Sequence, residues 1–139
     1  MNSREVVTSR EFLASLDHGA DWREEIEEFA DREGVESAWF VGMGAVQDAE
    51  VWYYDQTDQE YSSVAFDEPL EVASCVGNVA LLDGEPFAHT HAVLSRESGQ
   101  SLAGHLDAGT VFAGEVYLRA FEEPLTREHD EVTDLDLWL

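Results

Sequence analysis

The chain has no lysine, a single cysteine and only three prolines among its 139 residues, and no apolar run comes near the length of a membrane span. Its positive charge rests on Arg4, Arg10, Arg23, Arg32, Arg96, Arg119 and Arg127, each standing alone. Binding a phosphate backbone takes clustered basic side chains that release counterions. No stretch here reads as such a groove, so direct DNA binding is not expected. One cysteine excludes an internal disulfide, and Cys75, set in an apolar stretch, reads as a small packed hydrophobe. A bilayer span needs roughly 20 apolar residues, and a signal peptide needs a basic start before an apolar run. Neither is seen, so no membrane contact is expected and the expected compartment is the cytoplasm. A Ser-His-Asp order, a phosphate loop and a Cys-x-x-Cys pair are also missing.

What is abundant is acid. Thirty-one Asp and Glu give a formal net charge of −24. Like charges at that density repel one another across a small fold, whereas at molar salt the Debye length falls to about 3 Å and neighbouring carboxylates hardly interact. The composition therefore reads as adaptation to a salt-rich, halophile-type cytoplasm. The length fits a single domain over 1–139.

The apolar pattern divides the chain into one helix and several strands. Phe12, Ala14 and Leu16 alternate with Glu11, Leu13 and Ser15 as in a strand that ends at Asp17-His18-Gly19. Asp21 then stands at a helix cap with Glu24 three residues on. Trp22, Ile26, Phe29 and Ala30 share one helical face, and Gly34 closes the helix. Strands are predicted from Ser37 to Val41, ending in a glycine bend at Gly42-Met43-Gly44, and then from Val46 to Tyr54, Tyr61 to Phe66 and Leu70 to Leu82. Asp83-Gly84 reads as a hairpin turn into Phe87 to Leu94, Ser98-Gly99 as a second turn, and Thr110 to Phe121 as the last long strand. Glu122 to Leu139 is an acidic extension that reads as a strand or a docked tail. The fold class is α+β: a mainly antiparallel sheet packed against one substantial helix.

Three of the five histidines lie close together in sequence. His89 and His91 alternate with Thr90 on a predicted strand, so their side chains share a face. His105 follows beyond the Ser98-Gly99 turn, which can fold the chain back beside them. Three neutral imidazoles would leave a fourth zinc position for water or a ligand. Spacing alone leaves a second reading open, in which they are half-buried histidines bonded to backbone or carboxylate.

Longer blocks add to this. Leu70 to Gly84 contains Glu71-Val72 followed by Gly77-Asn78. Pro86 to Leu94 contains His89-Thr90-His91-Ala92, and Gly104-His105-Leu106 follows. Gly42 to Ala45 precedes them as a Gly-x-Gly-Ala segment. In this order and spacing the blocks resemble the plant-and-prokaryote-conserved (PPC) domain, with the likeness strongest over 10–121. Ala103 departs from the second glycine that many members carry before Gly-His-Leu.

The resemblance implies an α+β protomer that assembles as a homotrimer. It also implies a metal, usually zinc, on histidines matching His89, His91 and His105. Plant relatives join this domain to a basic AT-hook, and no such hook exists here, so the DNA-binding name attached to the family is not expected to apply. Glu71 reads either as a carboxylate orienting a ligand histidine or as a strand-surface acid, and the family match favours the first. Glu115 carries the same pair of readings. Trp39, Trp52, Tyr53 and Tyr54 read as core or subunit interface, and His18 and His129 as surface residues.

The expectation is a non-enzymatic, homotrimeric metal-binding module that takes a small ligand or a protein partner. Zinc or another divalent transition metal would be its cofactor. The alternative is a zinc-dependent hydrolase or lyase using the same three histidines, with Glu71 as the candidate catalytic proton carrier.

Overall fold

The computed structural model describes residues 2–138. Along the chain run β1 (Thr8–Leu16), α1 (Trp22–Glu33), β2 (Ser37–Val46), β3 (Ala49–Asp55), β4 (Glu60–Phe66) and β5 (Leu70–Leu82). They are followed by β6 (Glu85–Ser95), β7 (Ser101–Ala108), β8 (Val111–Phe121), β9 (Arg127–Asp130) and β10 (Leu135–Trp138). The first eight strands form one sheet in the order β1-β8-β2-β5-β6-β7-β3-β4, and β9 and β10 form a separate hairpin. Every pairing in both sheets is antiparallel.

The helix forms where its caps and apolar face predict it. Asp21 accepts hydrogen bonds from the backbone of Arg23 and Glu24, and Gly34 ends the helix at φ 63°, a left-handed cap that glycine adopts without a Cβ penalty. The second Asp21 oxygen accepts from Gly109 N at 2.8 Å, which ties the helix start to the turn between β7 and β8. Trp22, Ile26 and Ala30 are buried beneath it, against Ala88, Ala92, Leu94 and Leu106 of β6 and β7. Phe12 of β1 meets Phe29 edge-on at 5.1 Å. One face of the sheet and the inner stripe of α1 thus make the core, and the other face lies away from the helix.

Three strand boundaries differ from the sequence reading. The glycines at 42 and 44 do not end β2, which runs on to Val46 through a register shift against β5. Gly44 accommodates that shift because a Cβ there would strike the Ala113 carbonyl oxygen of β8. The predicted strand from Val46 to Tyr54 breaks at Gln47-Asp48. There Gln47 N donates to Thr110 O at 2.8 Å, and Asp48 Oδ1 accepts from the Thr110 hydroxyl at 3.0 Å. A further strand, β7, occupies the stretch read only as the region around His105. Ser101–Ala108 has no β-branched residue, and its pairing with β6 and β3 makes it a strand. The acidic carboxyl end is the β9-β10 hairpin. It is anchored by buried Leu125 and by Leu81 N donating to Leu125 O at 2.7 Å.

Candidate metal centre

Alternation along β6 sets the site. Ala88, Thr90, Ala92 and Leu94 point into the core, so His89 and His91 must project from the face opposite the helix. Strand register brings in the third histidine: His91 stands directly across from His105 on β7. The same row continues over the whole sheet through Leu13, Tyr117, Val41, Val76, His91, His105, Trp52 and Ser63. A parallel row carries Glu11, Arg119, Trp39, Asn78 and His89. The Nε2 atoms of His89 and His91 lie 3.2 Å apart. One ring nitrogen from each of the three histidines falls within 4.8 Å of the others.

These imidazoles are held neutral. Burial, with Arg127 as the next cause, pushes His89 down to about 4. Burial, then His91, does the same for His105, also to about 4. Burial lowers the more exposed His91 as well. Neutral rings keep lone pairs free for a cation, and the buried Nδ1 of His105 has no hydrogen-bond partner among the described residues. Two nitrogens bonded tetrahedrally to zinc at about 2.0–2.1 Å would stand about 3.3 Å apart, close to the His89–His91 separation. The donor set therefore fits a divalent transition metal.

Beside the histidines lies a cavity of about 570 Å³. Its walls include Trp52, Tyr61, Phe87, His89, His105 and, from the carboxyl-terminal hairpin, Arg127 and Trp138. Arg127 is 8% exposed. Its guanidinium donates to Asn78 Oδ1 at 2.7 Å and to the Asp136 carbonyl at 2.9 Å, and lies over the Phe87 ring. Trp138 stacks on Trp39, with ring centres 6.3 Å apart. A second hollow of about 490 Å³ lies on the same sheet face, between Leu13, Val41, Met43 and Glu115, and among the described residues no cluster of metal-ligating side chains lines it.

The amino-acid sequence matches the family model of the Plants and Prokaryotes Conserved (PCC) domain over residues 3–122. The chain belongs to this family. Solved structures agree with it throughout. A metal-containing protein from Archaeoglobus fulgidus is 40% identical, with 100% of this chain and 99% of that chain covered and a TM-score of 0.95. A PPC protein from Pyrococcus horikoshii is 31% identical over 100% of this chain and 97% of its own, with a TM-score of 0.94. A protein from Ralstonia eutropha, named only provisionally as DNA-binding, is 26% identical over 91% of this chain and 88% of its own, with a TM-score of 0.85. No curated protein matches the chain.

Within this PPC domain the three histidines converge, and Glu71 does not join them. It is exposed at the start of β5, five residues before Val76, which faces His91, the nearer of the two β6 histidines. At about 3.3 Å per residue that is roughly 16 Å of strand, too far for a carboxylate to orient any of the rings. Glu115 pairs with Met43 and Ser15, on the other side of β2 from the histidines. Among the aromatics, Trp52 lines the cavity, whereas Tyr53 is exposed. His18 Nδ1 contacts Phe112 O at 2.9 Å, and His129 lies near Asp134 and Asp136 on the hairpin, both away from the cluster.

The sequence reading missed Arg127, Asn78 and Trp138. Arg127 did leave a trace as the sole arginine of the acidic tail that follows the matched region.

Proposed function

We propose that this PPC protein is a homotrimeric metalloprotein of a salt-rich cytoplasm, in which His89, His91 and His105 hold a divalent metal, zinc by preference, beside a cavity for a small ligand. The observation that carries the reading is the meeting of three neutral imidazoles from β6 and β7 within 4.8 Å. Zinc on three imidazoles keeps a position for an oxygen ligand. The role is binding rather than turnover, because the expected proton carrier, Glu71, stands far along β5. The metal-containing relative from A. fulgidus supports the metal.

Assembly is supported by the sheet face opposite the helix. There Leu13 is 88% and Met43 62% exposed, with Val41 and Val93 also open to solvent on the single chain. An apolar stripe of this kind on an otherwise strongly acidic protein is suited to burial between subunits. Charge argues against DNA as the partner. Arg10, Arg23, Arg32, Arg96 and Arg119 are engaged with carboxylates, and Arg127 is buried.

One observation favours a second reading, a zinc hydrolase or lyase. Asp107 lies two residues from His105 on β7 and lines the same cavity, and burial raises its pKa above the ordinary carboxylate value. The decisive experiment measures bound metal per protomer in wild type and His91→Ala, purified in molar KCl without chelator, followed by an ester, phosphoester and lactone panel. About one equivalent of zinc, lost in the variant, is expected. Metal in neither protein would refute the metal site. Zinc-dependent turnover abolished by Asp107→Asn would replace the binding role with the enzymatic one.

A further inference from the structure

We infer that the cavity beside the three histidines takes a small organic monocarboxylate, its carboxylate lying between the histidine-bound metal and the Arg127 guanidinium and its apolar body resting on the aromatic wall. The inference rests on the metal reading above.

Arg127 is the observation that leads there. In a chain with thirty-one acids and seven arginines, a buried arginine would be expected to hold a carboxylate. Arg127 holds none: no ion pair among the described residues includes it. Both its bonds go to neutral oxygens, the Asn78 side-chain amide and the Asp136 backbone carbonyl. Its Nε is buried with no hydrogen-bond partner among the described residues. Burial lowers its pKa, and the nearby Asp136 carboxylate and Tyr61 only partly oppose it; a guanidinium in this setting offers forked donors to an outside oxyanion.

The position of Arg127 ties it to the metal site. Asn78 stands directly across the β5-β6 pair from His89, on the same sheet face, so the arginine is held one side chain away from the first histidine. Arg127, His89 and His105 all line the one cavity.

The rest of the wall selects the guest. Trp52, Tyr61, Phe87 and Trp138 present flat apolar surface. Asp107, Asp134 and Asp136 line the cavity as well and repel a second negative group. A single carboxylate on an apolar or aromatic body meets all of these conditions. A dianion meets the acids, and a neutral molecule leaves the guanidinium unpaired.

The test uses the full chain, zinc-loaded, in molar KCl, with benzoate as probe and benzamide and terephthalate as neutral and dianionic controls, titrated by calorimetry. Zinc content is measured on every sample. Benzoate is expected to bind, and both controls to bind at least about tenfold more weakly. Asn78→Asp places a carboxylate on Arg127 from within the protein and nearly preserves side-chain volume. It is expected to keep zinc and to weaken benzoate binding by about tenfold or more, and Arg127→Gln is expected to do the same. Zinc-loaded wild type that binds benzoate no better than benzamide, or Asn78→Asp that binds it unchanged, would overturn the carboxylate site and leave the metal reading standing. Wild type without zinc would instead overturn the metal reading, and the bridging carboxylate with it.

Discussion

His91 and His105 are direct cross-strand partners on β6 and β7, so the spacing of two of the three histidines is fixed by backbone hydrogen bonds rather than by loop conformation. Such a pair is preorganised, because the sheet has already met the ordering cost of both rings before any metal arrives.

Metal binding should therefore stabilise the folded chain without rearranging it. At a zinc concentration about a thousandfold above Kd, the gain is about 4 kcal/mol. Thermal melts of wild type should rise on adding zinc and fall with a chelator, and melts of His91→Ala should respond to neither. An equal zinc response in the variant would remove His91 from the site.

Acid should weaken the metal-free fold through the same residues. Burial first holds His89 and His105 down to about 4, against 6.5 for a free imidazole. Between these values the unfolded chain binds protons on both rings and the folded chain does not, so stability falls as pH drops from 6.5 towards 4 and levels off below. Urea midpoints in the presence of chelator should show this slope in wild type. The slope should flatten in a His89→Gln, His105→Gln double variant, and parallel slopes would contradict the buried, neutral state of the rings.

Salt should act in the opposite direction to its usual effect on surface ion pairs. With a net charge of −24, repulsion outweighs the few exposed Arg-carboxylate pairs, so melting temperature should climb from dilute buffer to molar KCl. A fall with added salt would mean that the pairs dominate.

Leu13 is 88% exposed on the single chain, so a charge there costs the protomer little and acts on assembly alone. Light scattering in molar KCl should report a trimer for wild type and a smaller species for Leu13→Glu, with the helical circular dichroism unchanged. A trimer that survives Leu13→Glu and Met43→Glu together would move the interface away from this face.

Gly77 admits no side chain, because a Cβ there would meet the Phe40 ring and the His89 carbonyl oxygen. Gly77→Ala should cost about 2–3 kcal/mol by overpacking, read from urea midpoints. It should also weaken zinc binding by displacing the backbone of His89.

Much of this was legible in the sequence because it is local. Asp21 and Gly34 bracket the helix with cap chemistry, and His89-Thr90-His91 declares its shared face by alternation. What was not legible depends on register. No local feature of Ser101–Ala108 marks it as a strand, and only its partners do so. Glu71 sits in a segment matching the family pattern, yet distance along a strand is not visible until the pairing with β6 is known. Arg127 lay in an acidic tail whose hairpin folds back over the sheet, a contact that no periodicity encodes.

The hairpin that brings Arg127 and Trp138 to the cavity lies beyond residue 122, where the family match ends. The hairpin is a sheet of its own, so substitutions within it can reshape the wall opposite the histidines while the eight-stranded sheet that carries them keeps its pairing.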